Sequence, residues 1–196
     1  MERVRVQNLA SPLPVRLGVS FFGLLVVFWL SVLTASPGNS GELSEEISLP
    51  KDFRATMVHL GSWFVPEGGA SGFHDVYADR MAVEAYRKTG QFPDGAILVK
   101  ELRAHASGNY TTGVGVSRAI PGDEGLKQWF VMVKDATNRH ADRPEWGDGW
   151  GWALFQKDDP TKNVVTDYKV DCLGCHVPAQ SNDWIYVEGY PTLEKP

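Results

Sequence analysis

Between residues 79 and 90 the chain reads Asp-Arg-Met-Ala-Val-Glu-Ala-Tyr-Arg-Lys-Thr-Gly, with apolar residues at helical spacing. Asp79 can cap the N-terminus and Gly90 can supply the left-handed residue that ends the helix. The pattern predicts Ala82, Ala85, Tyr86 and Thr89 on one face, with Glu84 and Lys88 as a favourable i,i+4 pair. Asp94-Gly95 marks a turn. Ala96-Ile-Leu-Val-Lys-Glu-Leu102 follows, apolar and β-branched, and predicts a strand with Leu98, Lys100 and Leu102 on one face. Gln128–Lys134 and Trp150–Phe155 predict two more, the latter after the glycine-rich stretch 146–149. Tyr110–Val116 reads as a fourth. Short strands with one or two helices predict the α+β class, an antiparallel β-sheet with flanking helices. Beyond these strands the C-terminal stretch reads as loops, apart from one motif.

Leu17–Ala35 is apolar and uncharged, and Arg3, Arg5 and Arg16 precede it. That is the pattern of an export segment. It exceeds the roughly 7–15 residues of a signal h-region and reaches the roughly 17–25 of a membrane span. A cleaved signal peptide and a retained membrane anchor therefore both stay open for residues 1–36. Either one sends the rest of the chain across a membrane, basic end inside, so the expected location is periplasmic, soluble or tethered. Residues 37–48 read as a polar linker and residues 49–196 as the folded domain.

Composition narrows the classes. A length of 196 residues fits one domain with an appendage, and 43% hydrophobic residues exclude general disorder. A net charge of −5 argues against nucleic acid as partner. Two cysteines cannot build a disulfide scaffold or a four-cysteine zinc site. No glycine-rich phosphate loop or nucleophile elbow is present.

Both cysteines fall in Cys172-Leu-Gly-Cys175-His176. Chance would place two cysteines and an adjacent histidine this way roughly 3 times in 10,000, and C-x-x-C-H is the attachment signal of c-type haem. Two thiols at this spacing reach the two vinyl groups as thioethers, and the adjacent imidazole of His176 reaches the iron. A thioredoxin-type disulfide would need a βαβ setting, and zinc would need further ligands at sharp spacing. His59, His74, His105 and His140 are scattered, and read as ordinary surface or core residues ahead of axial ligands. The expected cofactor is one covalent haem c, with its iron on His176. None of Met57, Met81 and Met132 lies in the loop after the motif, where a small electron carrier often has its second ligand. The motif also sits near the C-terminus, behind sheet rather than ahead of helices. An open sixth position that binds a small molecule is the expectation, with a plain electron-transfer cytochrome as the alternative.

Four stretches resemble the cytochrome P-460 family: Leu49-Pro-Lys-Asp-Phe-Arg54; Val76-Tyr-Ala-Asp79 with Tyr86-Arg-Lys-Thr-Gly-Gln-Phe92; Pro93-Asp-Gly-Ala-Ile-Leu-Val-Lys-Glu101; and Cys172–His176. The resemblance implies an antiparallel sheet with flanking helices, a homodimer, hydroxylamine oxidation to nitric oxide or nitrous oxide, and a soluble cytochrome as electron acceptor. The sister group cytochrome c′-beta has the same fold and binds nitric oxide without known turnover. In the enzymes the lysine of Val-Lys-Glu, here Lys100, is bonded through its amine to a haem meso carbon. By its residues alone Lys100 reads first as an edge-strand lysine with its head in water; the resemblance reverses that. The oxidising members also place a carboxylate over the open iron face, on the strand leading into Val-Lys-Asp. Here that register falls on Phe130, which cannot take protons; ordinary core packing is the equal alternative. Trp146, Trp150 and Trp152 read as core aromatics of a hairpin ahead of pocket lining. Asp123-Glu124 and Asp158-Asp159 read as solvated turns.

Overall fold

The computed structural model describes residue 44 and residues 46–195. The export segment at 17–35 and most of the linker lie outside the described residues. Among the described residues no helix is long and apolar enough to cross a membrane.

A short helix α1 (Phe53–Thr56) leads into β1 (Val58–Val65), β2 (Gly72–Ala78), α2 (Arg80–Thr89) and β3 (Ile97–Arg103). A hairpin of β4 (His105–Tyr110) and β5 (Gly113–Ala119) follows, then the single turn α3 (Gly122–Gly125) and β6 (Leu126–Lys134). After β7 (Trp146–Gly147), β8 (Trp150–Gln156) and β9 (Asp159–Asn163), the chain ends in α4 (Tyr168–Asp171), α5 (Leu173–His176) and three 3-10 turns. The main sheet has the order β1-β2-β3-β6-β8-β7, with β9 also on β8, and all its pairs are antiparallel. This is the α+β architecture that the hydrophobic pattern predicts.

Helix α2 begins and ends at the predicted residues. Asp79 accepts from the amide of Ala82 at 2.7 Å and from that of Ile97 at 2.9 Å, so one carboxylate joins the start of α2 to the start of β3. Gly90 closes the helix at φ 79°. The buried stripe differs from the predicted one. Ala82 and Val83 are buried and Tyr86 packs beside them, whereas Thr89 is exposed and turns its hydroxyl onto the Ala85 carbonyl.

The predicted strand Tyr110–Val116 is not one strand. It straddles the reversal between β4 and β5, where Tyr110 pairs with Gly113, and Gly115 follows at φ 68°. Glycine takes that conformation cheaply, and Gly115 sits inside β5 at the register irregularity beside the reversal. Strands β1 and β2 are additions to the predicted set. Of the acidic pairs, Asp123-Glu124 lies in α3, and Asp158-Asp159 is exposed at the turn into β9.

The pleat divides the side chains between two cores. One face carries Val76, Leu98, Met132, Trp150 and Trp152, under α2 and the C-terminal segment with Trp184, Ile185, Tyr190 and Leu193. The other carries Val99, Trp129, Val131, Ala153 and Phe155, against Ile47, Phe53 and Trp146. Leu60 and Phe155 are fully buried, each a contribution of roughly 1.5–3 kcal/mol.

Polar ties hold the C-terminal segment to the sheet. The Lys134 amine bonds the Asp183 carboxylate at 2.7 and 2.8 Å, and the Trp150 indole N–H donates to the Asp183 carbonyl at 3.0 Å. Arg87 donates to the Thr192 carbonyl at 2.8 Å. The Thr192 hydroxyl donates to the His59 carbonyl at 3.0 Å. Gly61 permits this approach, since a Cβ there would lie 2.6 Å from the Gly189 carbonyl oxygen.

Candidate functional site: a cleft between the sheet and the Cys-x-x-Cys-His turn

The first core face and the C-terminal segment enclose a cleft of about 900 Å³, counting its open mouth. One wall is a cross-strand row on the sheet, in which Val76 of β2 pairs with Lys100 of β3, and Lys100 pairs with Phe130 of β6. The other wall is the turn α4–α5 with Cys172, Cys175 and His176. All five residues singled out for chemistry in the sequence therefore line one cavity: Lys100, Phe130, Cys172, Cys175 and His176.

His176 is held on three sides. Its Nδ1 lies 2.7 Å from the Trp184 carbonyl oxygen. A carbonyl only accepts, so Nδ1 carries the hydrogen and Nε2 keeps the lone pair, the form that ligates a metal. The ring meets Trp152 edge-on at 4.9 Å and lies 6.2 Å from the Tyr186 ring. Burial lowers its pKa, against the Trp184 hydrogen bond, which raises it. The left-handed pair Asp183 (φ 59°) and Trp184 (φ 68°) turns the backbone that presents this carbonyl.

Lys100 is half-buried, with its amine 4.0 Å from the centroid of the Phe130 ring. Burial pulls its pKa down to about 8, against a small opposing pull from Cys175 and Cys172. Behind it, on the other face of the sheet, Glu101 is buried and bonded by Arg54, by Arg103 at 2.5 Å and by the Trp129 indole at 3.0 Å. Burial works against the Glu101 carboxylate, but these donors prevail and hold its pKa below the ordinary value. Consecutive residues of one strand thus carry a caged anion behind the sheet and a weakened cation in the cleft.

Cys172 is half-buried, and burial pushes its thiol up to about 12. A thiol that resists ionisation is a poor metal ligand, while a thioether carries no charge. Two cysteines beside an imidazole with a free Nε2 lone pair, in an apolar cleft, fit a haem attached through thioethers. Among the described residues no group of three or more His, Cys, Asp or Glu is placed to hold a metal ion by itself, so the zinc alternative finds no ligand set.

Other residues divide by position. Trp152 and Trp150 belong to the core on the cleft side, whereas Trp146 packs behind the sheet. Of the three, Trp152 lines the cleft, while Trp150 and Trp146 are core aromatics. His74 lines the cleft, buried, with Nε2 2.7 Å from the Ala70 carbonyl oxygen. His59, His105 and His140 lie outside the cleft lining. Sequence reasoning passed over Trp184, whose contribution is a backbone carbonyl and leaves no side-chain signal. It also passed over Tyr186, whose hydroxyl donates to the Cys175 carbonyl at 2.6 Å. Asp171 also lines the cleft, but its carboxylate is engaged by the amides of Thr166 and Asp167.

No curated protein matches the chain. The sequence pattern of the Cytochrome P460 family matches residues 50–187, which takes in Lys100, Phe130, Cys172, Cys175 and His176. The chain is a haem cytochrome that belongs to the cytochrome P460 family.

Proposed function

We propose that the chain binds small nitrogen species at an open iron position and oxidises hydroxylamine there to nitric oxide or nitrous oxide. The observation that carries this reading is the Lys100 amine, lodged in the same cleft as Cys172, Cys175 and His176. A covalent haem on the two cysteines supplies an iron that can bind a nitrogen ligand and accept electrons from it. His176 presents Nε2 to the metal, and the Nδ1–H bond to the Trp184 carbonyl makes the imidazole a stronger donor. With a pKa of about 8, Lys100 has a neutral fraction near neutral pH. A neutral amine has a lone pair and is a nucleophile, as bonding to a macrocycle carbon requires; the new C–N bond would replace one N–H and one C–H, with the two protons going to solvent and the two electrons to an oxidant of the peroxide class. That bond would also remove the cost of keeping an ammonium in an apolar wall. Leu98, Phe130 and Met132 keep water from the sheet side.

A second reading is capture of nitric oxide without turnover, as in cytochrome c′-beta. It is favoured by Phe130, which stands beside Lys100 where the oxidising members place a carboxylate. Among the described residues, the one acid that lines the cleft, Asp171, is already engaged by backbone amides. Export by the 17–35 segment to the periplasm, a homodimer and a soluble cytochrome as electron acceptor belong to the same proposal.

The test is turnover of hydroxylamine by the haem-loaded protein with excess one-electron acceptor, together with nitric oxide binding to the reduced form. Oxidation of hydroxylamine supports the first reading. Nitric oxide binding with no turnover establishes the second. A reduced iron that is six-coordinate and refuses carbon monoxide sinks both and leaves an electron carrier.

A further inference from the structure

A chain of contacts leads away from His176 that ligand binding at the iron does not use. The imidazole meets Trp152 edge-on at 4.9 Å, and Trp152 stacks on Tyr168 at 5.9 Å and 13° between planes. The Tyr168 hydroxyl donates to Asp148 Oδ2 at 3.1 Å. Trp152 and Tyr168 are buried and Asp148 is exposed. Ring follows ring from the iron ligand to a carboxylate at the surface.

We infer that Trp152 and Tyr168 relay single oxidising equivalents outward from the cleft, with Tyr168 as the terminal site and Asp148 as acceptor of its proton. The inference rests on His176 as iron ligand and is independent of hydroxylamine as substrate. The oxidant is hydrogen peroxide, which takes up two electrons and two solvent protons and leaves as two waters. A bound haem would supply one electron and Trp152 the other. Tyr168 then refills Trp152: its O–H bond breaks, the electron passes to the indole and the proton to Asp148. Two one-electron equivalents from a surface reductant of the ascorbate or phenol class restore Tyr168 and the haem, and Asp148 returns the Tyr168 proton.

Neighbouring rings are worse sites, for reasons in their surroundings. Trp150 carries the Lys134 ammonium 4.7 Å above its ring, which opposes a second positive charge there. The Tyr186 hydroxyl donates to the Cys175 carbonyl, too weak a base to keep a proton. The Trp152 N–H likewise donates to a carbonyl, that of Gly147 at 3.2 Å, so the oxidised indole stays charged and passes its vacancy on. Of these four rings, Tyr168 and Trp150 bond to carboxylates, and the one on Trp150, Asp183, is already paired with the Lys134 ammonium. Burial, with help from Asp148, raises its pKa to about 12, so oxidation and not ordinary pH releases the proton. The turn is built for this contact. Asp148 takes the left-handed conformation at φ 54°, and a Cβ at Gly147 would collide with the Tyr168 hydroxyl.

The experiment is electron paramagnetic resonance on the haem-loaded full chain, frozen soon after mixing with hydrogen peroxide and without hydroxylamine. A tyrosyl radical is expected, narrowed by ring-deuterated tyrosine and lost in Tyr168→Phe. In that variant, mass spectrometry should find added oxygen on the Trp152 peptide. Asp148→Asn, which accepts the hydrogen bond but not the proton, should lower the radical yield, with the haem absorption band and thermal melt as in the parent. An undiminished tyrosyl signal in Tyr168→Phe, a parental yield in Asp148→Asn, or no radical in the parent overturns the inference. Hydroxylamine is absent throughout, so none of these outcomes bears on the proposed oxidation.

Discussion

Replacing Lys100 by methionine should stabilise the haem-free fold at neutral pH. The buried amine has a pKa of about 8 against an ordinary 10.5. Its folded value is depressed, so the unfolded chain binds more protons between these two values, and stability rises with pH across that window. Below pH 8 the full cost of enclosing the ammonium applies, at most about 3 kcal/mol. Methionine fills a similar volume and carries no charge, so Lys100→Met removes this cost. The assay is urea unfolding of the Cys172→Ala/Cys175→Ala protein, which cannot attach haem, with and without the Lys100 change, at pH 7 and pH 10.5. At pH 7 the methionine protein should be more stable by up to about 3 kcal/mol, or roughly 6–12 °C in melting temperature for a domain of this size. At pH 10.5 most of the difference should be gone. Equal stability at pH 7 would refute the reasoning, because it would mean that the lysine head reaches water along the strand.

Other expectations follow from the same geometry. Proteolysis of the haem-loaded protein should leave the Lys100 peptide joined to the Cys172–His176 peptide in the mass spectrum; two separate peptides would remove the cross-link from the account. Phe130→Glu should gain hydroxylamine turnover by placing a carboxylate beside Lys100, read as acceptor reduction per haem. Glu101→Ala should cost about 1–3 kcal/mol in denaturant melts, since it leaves the Arg103 and Trp129 donors without their acceptor while the half-exposed Arg54 turns to water. The Glu101 contribution should be complete above the ordinary carboxylate pKa and disappear as pH falls through its lower native value, so the penalty of the variant should shrink in acid.

Legibility in the sequence follows physical locality. Helix α2 was readable because Asp79 and Gly90 act within one turn of their own positions. Strands β3, β6 and β8 were readable because both of their faces are buried, which forces continuous apolar runs. Strand β2 alternates as cleanly as any, with Gly72, His74, Val76 and Ala78 buried, but two of those four are glycine and histidine, so hydrophobicity alone did not mark it. The haem motif was legible because its chemistry is local to five residues. The pairing of Lys100 with Phe130 depends on β3–β6 register across an intervening hairpin, and the orientation of His176 depends on a carbonyl eight residues away. Neither leaves a mark in residue type.

The two walls of the cleft are fixed by different anchors, which explains why so few residues set its chemistry. Glu101 locks β3 from behind through Arg54, Arg103 and Trp129, and the strict alternation of the pleat then points Lys100 forward. The opposite wall is fixed at Asp183, which bonds Lys134 and Trp150 and directly precedes the carbonyl that holds His176. Lys134 and Phe130 belong to the same strand, so β6 touches both anchors. A slip of one residue in the β3–β6 pairing would replace Phe130 with a side chain from the other face and release Lys134 from Asp183 together. Register in this one strand pair therefore couples what stands beside Lys100 in the cleft to how firmly the His176 imidazole is held. Substitutions that loosen β6 should change both, even when they touch neither wall.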